Sequence, residues 1–391
     1  MNNKIFIGDN LEVMSSKYMT EFQNKIQTIY IDPPYNTLNV KSYKDNINTS
    51  DWIEMMKLRL IESKKFLKET GVIFISIDDN EYANLKVLCD EIFGKRNYIG
   101  TFITNQSKRS NAIHINTTHE YVLCYGKNKK KTRQFEVKRM DIPENKKLFK
   151  KLNCIATELV KNNSLEIANK KFKKIINNEV KNSNQTWLKN YSNIDENSRI
   201  YFAMDLSTPN NPKSVSIPEI NLDLKPLKSR GWASDKKFIE LYKEKRLVFK
   251  DGRPYSKKYL EEATENAQSV LNYFSRQGTN DLKKIGLAGL FDTPKPVELI
   301  KFLIRISTND DDVVLDYFAG SGTTAQAVYE LNSLEKRNNK YILIQTKEPV
   351  KTNTSVYKKC MDLGVKPFIS DILLFRVNRY IKTKDYDLEY I

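Results

Sequence analysis

The chain is poor in the residues that staple small folds or hold metals. Its 391 residues include 4 cysteines and 2 histidines. Cys89, Cys124, Cys154 and Cys360 stand far apart with no C-x-x-C pair, which argues against a disulfide framework and a thiolate zinc site. His114 and His119 have no acidic cluster of a metal-site kind near them, so no metal is expected. Reduced thiols fit a cytoplasmic protein. No run of about 18 apolar residues occurs, so neither a membrane span nor a membrane partner is expected. Residues 1–7 contain no long apolar stretch of the secretory-leader kind, and sequons such as Asn48-Thr49-Ser50 then carry no meaning.

What is present is a globular composition, 40% hydrophobic and 11% aromatic. Lys and Arg number 65 against 48 Asp and Glu, a net charge of +17. Such an excess favours a polyanionic partner, nucleic acid foremost. A Lys-, Asn- and Ile-rich chain also reflects an AT-rich genome, so charge alone carries little weight.

The hydrophobic pattern predicts an α/β fold. Short apolar runs at 4–7, 26–31, 72–77, 98–103 and 120–125 read as strands, and 11–22, 52–69 and 78–93 as helices. Ser50 or Asp51 is the expected cap of the second helix, and Gly71 its stop. The polar segment 105–118 reads as a surface loop. From Lys127 to about Asn280 the chain turns basic, with Phe172, Trp187, Tyr191, Tyr201 and Trp232 spread among the charges. That mixture suits a nucleic-acid surface, while a small core beneath a lysine surface is the plainer reading of each aromatic. Asp251-Gly252 after 247–249 predicts a tight turn. The α/β pattern returns with a helix at 296–307, a strand at 312–318, a helix at 323–331 and a strand at 340–345. The tail is helical around 368–380.

Two constellations carry chemistry. Asp32-Pro33-Pro34-Tyr35 directly follows the run Ile29-Tyr30-Ile31. Prolines lack an N–H, so the turn leaves bare carbonyl acceptors beside an acid and an aromatic face, a seat for a planar base held by its amine. The same four residues also serve as a simple strand stop. The second constellation runs Val313-Val314-Leu315-Asp316-Tyr317-Phe318-Ala319-Gly320-Ser321-Gly322-Thr323-Thr324-Ala325: strand, glycine-rich turn, helix. It fits G-x-G-x-x-A, so a nicotinamide dinucleotide site is a rival, as is a turn with no ligand. Asp316 tilts the choice. A carboxylate there repels a pyrophosphate and attracts an ammonium, which favours the amino-acid end of S-adenosylmethionine.

Together these motifs resemble the DNA amino-methyltransferases in the permuted order called the beta class. The likeness extends to Ile7-Gly8-Asp9-Asn10-Leu11, Asp32 to Asn36-Thr37, Trp52–Leu60, His119-Glu120-Tyr121, Gly231-Trp232 and Phe291–Pro296, which resemble modification subunits of type III restriction–modification systems. It implies a Rossmann-like S-adenosylmethionine-dependent methyltransferase sheet in permuted order, carrying an inserted basic target-recognition region. The expected parts are residues 1–126, 127–282 (the insertion) and 283–391. The implied reaction methylates adenine N6 in a flipped-out base of double-stranded DNA. Asp32, Pro33, Pro34 and Tyr35 would be catalytic. Asp9, Asp32, Thr293, Lys295, Pro296, Asp316, Phe318, Ala319, Gly320, Ser321, Gly322, Thr323, Thr324 and Gln345 would surround the cofactor, with Asp9 accepting from its adenine amine.

Lys108, Arg109, Lys129, Lys130, Lys131 and Arg133 are the expected DNA contacts. A homodimer and a cognate restriction subunit are the further partners the resemblance implies. Departures are Leu38, where the family often has Gly, and Gln345, where many methyltransferases place a ribose-binding acid, with Glu348 near. The chain is shorter than typical type III subunits, so a stand-alone or type II-like enzyme is equally in view. N4-cytosine methylation, methylation of RNA or a protein amide, and a non-catalytic recognition subunit are the alternatives.

Overall fold

The computed structural model describes residues 2–37, 42, 45, 47–106, 114–183, 185–209, 212–382 and 385–391. Leu38, Lys108 and Arg109 lie outside the described residues. The chain divides into one compact unit made of Met1–Phe135 with Ala267–Ile391, and a second made of Glu136–Asn266.

The first unit is built on a nine-stranded sheet among the described residues. In chain order its strands are β1 (Asn3–Ile7), β2 (Ile26–Ile31), β3 (Leu67–Ile77), β4 (Tyr98–Asn105), β5 (His119–Gly126), β6 (Val270–Phe274), β7 (Val313–Asp316), β8 (Lys340–Gln345) and β9 (Tyr386–Tyr390). Their spatial order is β6-β4-β5-β3-β2-β7-β8-β1-β9. Every pairing is parallel except those of β5, which runs against both β3 and β4. All six residues of β2 and all four of β7 are buried, as strands covered on both faces must be.

Helix α1 (Asn10–Ser15), α2 (Thr49–Lys64) and α3 (Tyr82–Cys89) precede the insertion. After it come α4 (Arg276–Lys284), α5 (Val297–Ser307), α6 (Thr323–Glu335) and α7 (Ile369–Tyr380). Trp52, Met56 and Leu60 of α2 and Leu85, Leu88 and Cys89 of α3 share one apolar cluster with Ile29, Ile31, Ile73 and Ile75 of the sheet. Helix α5 packs on β2, β3 and α6, and nine of its eleven residues are buried.

Several boundaries differ from expectation. Helix α2 ends at Lys64, and Leu67 and Gly71 belong to β3 rather than to the helix and its stop. Pairing slips between Ile26↔Leu67 and Thr28↔Val72, and at that bulge a Cβ on Gly71 would stand 2.9 Å from the Ile26 carbonyl oxygen. Close backbone approach, not helix termination, calls for the glycine. Asn48, rather than Ser50 or Asp51, caps α2 by accepting the Ser50 N–H at 2.8 Å. Residues 17–22 continue α1 only as a 3-10 turn.

The second unit is narrower than the expected insertion of 127–282, because residues up to Phe135 and from Ala267 onward, strand β6 included, belong to the first unit. It holds two long helices, Pro143–Asn162 and Leu165–Ser183, and a four-stranded antiparallel sheet. The Asp251-Gly252 turn is as expected, both residues having positive φ (48° and 72°) between Lys250 and its partner Arg253. Phe172, Tyr201 and Trp232 are 0%, 6% and 5% exposed, and Trp187 and Tyr191 pack on the helical core. These aromatics are core, not a stacking surface. The lysines on the two helices, among them Lys146, Lys147, Lys150, Lys173 and Lys174, are exposed. The first unit closes behind the insertion where Ala267 N–H donates to the Phe135 carbonyl at 2.8 Å.

Candidate active site

Strands β2 and β7 are adjacent and parallel, so their carboxyl ends open on the same edge. Ligands of open parallel sheets bind at that edge. Asp32-Pro33-Pro34-Tyr35 leaves β2 there, and the glycine turn leaves β7. Together with the ends of β5 and β8, α4 and residues 291–295, they line a cleft of about 470 Å³.

On one side of the cleft lies a buried charge network. Lys295 Nζ is 3.3 Å from Asp32 Oδ1 and 2.6 Å from Glu120 Oε2, and it also donates to the Tyr35 hydroxyl. Tyr35 OH donates to Glu120 at 3.2 Å, and Gln106 Nε2 donates to the other Glu120 oxygen at 2.6 Å. Asp32 Oδ1 is buried against the Lys295 ammonium as an ion pair, while the Asp32 side chain as a whole is 26% exposed. Burial pushes the Asp32 carboxyl up; Lys295 pulls it back and Glu120 pushes it further, leaving it above the usual range. Burial also opposes charge on Glu120 and Lys295. Their mutual attraction wins, holding Glu120 below and Lys295 above the ordinary values.

The turn after β2 is fixed from behind. Trp52, fully buried, donates Nε1–H to the Pro34 carbonyl at 2.7 Å. Asn36 adopts a left-handed φ of 58°. Its side chain donates to Glu81 at 2.7 Å and accepts from Ile47 N–H at 2.8 Å, while its own N–H donates to Asp45 at 3.1 Å. Among the described residues nothing donates to the Pro33 carbonyl, and Pro33 lines the cleft beside Asp32.

On the other side, Asp316 accepts from Phe318 N–H at 3.1 Å and Thr324 Oγ1 at 2.5 Å. Burial pushes its carboxyl up to about 7 against those two hydrogen bonds. Gly320 and Gly322 have φ of 52° and 81°, which only glycine adopts at little cost. Gln345 accepts from Gly320 N–H through Oε1 at 2.7 Å, so that oxygen braces the turn.

Of the expected site residues, Asp32, Pro33, Pro34, Tyr35, Thr293, Lys295, Asp316, Phe318, Ala319, Gly320, Ser321, Thr323, Thr324 and Gln345 line this cleft. Asp9 does not. Its carboxylate caps α1, accepting from Leu11 N–H at 2.9 Å, and pairs with Arg59 at 2.9 Å. Pro296 stands at the N-cap of α5, outside the lining. Gly322 lies behind the turn against α7.

Lys129, Lys130, Lys131 and Arg133 are also not brought here. Because β5 is antiparallel, Glu120 points into the cleft end and Gly126 pairs with Val72 at the far end, about 20 Å away at 3.4 Å per residue. There Lys129 donates to the Tyr98 carbonyl at 2.7 Å and Arg133 to the Thr308 carbonyl at 2.7 Å. Sequence reasoning assigned no role to Glu120, Gln106, Asp45, Arg276 or Gly278.

Gly278 of α4 sets the position of residues 293–295. A Cβ on it would fall 1.8 Å from the Pro294 carbonyl oxygen. Gly278→Ala should therefore destabilise the unit by about 2 kcal/mol or more and displace Lys295 from Asp32, checked by urea unfolding. Trp52→Phe replaces the indole with a smaller phenyl ring, leaving the Pro34 carbonyl unpaired and a small cavity beside it. It should cost about 1–3 kcal/mol, and an unchanged urea midpoint would show that this bond contributes nothing.

The DNA methylase family model matches residues 26–354. The chain is similar to the type II methyltransferase M.KpnI of Klebsiella pneumoniae, 30% identical over 409 residues, covering 100% of this chain and 90% of that one. It is 28% identical to the EcoP15I Mod subunit of a type III restriction-modification enzyme of Escherichia coli, over 90% of this chain and 59% of that one. The EcoPI Mod subunit of Escherichia phage P1 is 30% identical over 91% and 59%, so the chain spans about six-tenths of both Mod subunits. The PvuII DNA methyltransferase (cytosine-N4-specific) is a structural neighbour covering 100% of this chain and 95% of that one, with 13% identity and a TM-score of 0.46.

Proposed function

This chain belongs to the DNA methylase family, and we propose that it transfers a methyl group from S-adenosylmethionine to the N6 amine of an adenine in duplex DNA. The observation that carries this reading is the Asp32 carboxylate at the end of β2, its side chain 26% exposed where it lines the cleft beside Pro33, with Oδ1 turned to Lys295 at 3.3 Å. Two acceptors at the end of one strand suit the two N–H bonds of an exocyclic amine. The resemblance of the motif supports adenine over cytosine, since N4-cytosine enzymes usually begin it with Ser.

The residues of the cleft fit the cofactor. Asp316 offers an acid to an ammonium, and the two glycines let the backbone come close. When bound, S-adenosylmethionine supplies an electrophilic methyl group on a sulfonium. The chain supplies alignment, which by itself accounts for much of a rate enhancement. Asp32 and the Pro33 carbonyl hold N6 with its lone pair free, and Tyr35, oriented by Glu120 and Lys295, stacks on the ring. Asp32 stabilises positive charge growing on N6, and its raised proton affinity suits it to receive the proton the methylated amine must lose. The target atom is hidden in a duplex, so the base is flipped into the cleft.

We assign target recognition to the second unit, whose long helices expose the lysines named above; such charges favour phosphate contacts. Two relatives are named as Mod subunits of restriction-modification enzymes, and a restriction subunit is the further partner proposed. The type II relative of similar length supports the stand-alone alternative.

With labelled cofactor and duplexes of mixed sequence, the product should be N6-methyladenine. Recovery of N4-methylcytosine instead would overturn the adenine assignment. Asp32→Asn keeps the shape and should lower the single-turnover rate by about 100-fold or more, with cofactor affinity unchanged.

Asp316 gives a pH signature. Its carboxyl, titrating at about 7 in the fold, must be ionised to hold an ammonium. Cofactor affinity should rise as pH goes from 6 to 7.5, by up to about tenfold per unit on the acid side, with proton release detectable by calorimetry. The same ionisation costs the empty fold stability. A carboxyl raised in the folded state favours the fold most below its unfolded value of about 4 and loses that contribution as pH climbs through 7. Asp316→Asn should flatten both trends; an Asn variant with the wild-type pH dependence would show that another group titrates.

A further inference from the structure

Arg376 of α7 is 1% exposed, and its guanidinium bonds only uncharged side chains. Nη1 donates to Ser321 Oγ and to Thr323 Oγ1, each at 2.7 Å. Nε and Nη2 donate to Gln326 Oε1 at 3.2 and 2.9 Å. The nearest acids, Asp281 and Glu330, are engaged elsewhere: Asp281 with Val297 N–H at 3.0 Å, Glu330 with Lys301 at 2.9 Å. Burial pulls the guanidinium down to about 10, so it stays charged at neutral pH. A buried cation without a bonded counter-ion is costly.

Its hydrogen-bond partners reveal what it does. Arginine only donates, so Ser321 Oγ and Thr323 Oγ1 must accept from it, and each hydroxyl hydrogen has to point elsewhere. Among the described residues neither hydroxyl donates to a protein acceptor, and both residues line the cleft. Helix α7 also backs the turn directly, since a Cβ on Gly322 would stand 3.2 Å from Val377 and 3.3 Å from Leu373. The result is a pair of hydroxyl donors aimed away from a buried cation, on the same turn whose preceding residue, Asp316, offers the opposite sign.

Taking Ser321 and Thr323 as part of the expected seat for the amino-acid end of the cofactor, we propose that Arg376 is its positioning residue, fixing both hydroxyls as donors toward the ligand's carboxylate and lending them its charge. This rests on the reading of the cleft as an S-adenosylmethionine site.

The test is calorimetric binding of S-adenosylmethionine and of its decarboxylated form, with no turnover required. The wild-type chain should prefer the carboxylated ligand by about tenfold or more. Arg376→Gln should weaken S-adenosylmethionine alone and shrink that preference to about twofold; Arg376→Lys, which keeps the charge, should retain part of it. Equal weakening of both ligands by Arg376→Gln, the mark of a merely structural role, would overturn the proposal, as would an unchanged preference. Should that variant not fold, the double substitution Ser321→Ala, Thr323→Val leaves the arginine in place and should abolish the preference equally; a retained preference there refutes the subsite. Wild-type chain that binds neither ligand would instead sink the cofactor reading beneath it.

Discussion

The site depends on one parallel pairing, β2 beside β7. Val314 lies opposite Thr28 and Leu315 opposite Ile29, and that register puts two turns nearly three hundred residues apart in the chain at one sheet edge. Both strands are buried throughout, with Ile29 and Ile31 clustered against α2 and α5 packed on β2. A slip of one residue would swap every side chain between two differently packed faces, so packing on both faces fixes the register and the register fixes the site. The chemistry is thereby positioned by two fully buried strands.

Charge in the cleft is arranged by sign. Asp32, Glu120 and Lys295 form a nearly balanced buried set in which the lysine is shared between two acids. The sharing leaves one Asp32 oxygen close to a cation but without a hydrogen bond. The Asp32 side chain keeps 26% of its surface open, so the carboxylate is held by the lysine while still presenting surface at the cleft. Across the cleft Asp316 and Arg376 stand on opposite sides of the glycine turn, one facing the ligand space and one behind it.

Much of this was readable in the sequence. The two motifs, the strands that present them and the tight Asp251-Gly252 turn follow from local chemistry. What was missed depended on tertiary geometry. Leu67 and Gly71 fit a helix and its stop as well as a bulged strand, and only pairing with Ile26 decides between them. Lys129, Lys130, Lys131 and Arg133 look like a nucleic-acid patch, but the reversed direction of β5 carries them to the end opposite the cleft. Phe172 and Trp232 sit among lysines in the sequence and inside cores in space. Arg376 did leave a trace: it occurs at helical spacing with Ile369, Ile372 and Leu373, where an apolar residue would be expected. An arginine in the buried stripe of a helix asks for a partner, and here the partners were the hydroxyls of a motif already singled out.

The hydrogen bond from Ala267 to Phe135 has an evolutionary consequence. The sheet gives up the chain and takes it back at two residues already touching, and the 131 residues between them form their own compact unit. Along the chain the second unit is a loop closed at that seam, and loop-closure entropy changes little with length. Insertion or deletion within Glu136–Asn266 therefore changes little in the cost of closing the sheet at this seam.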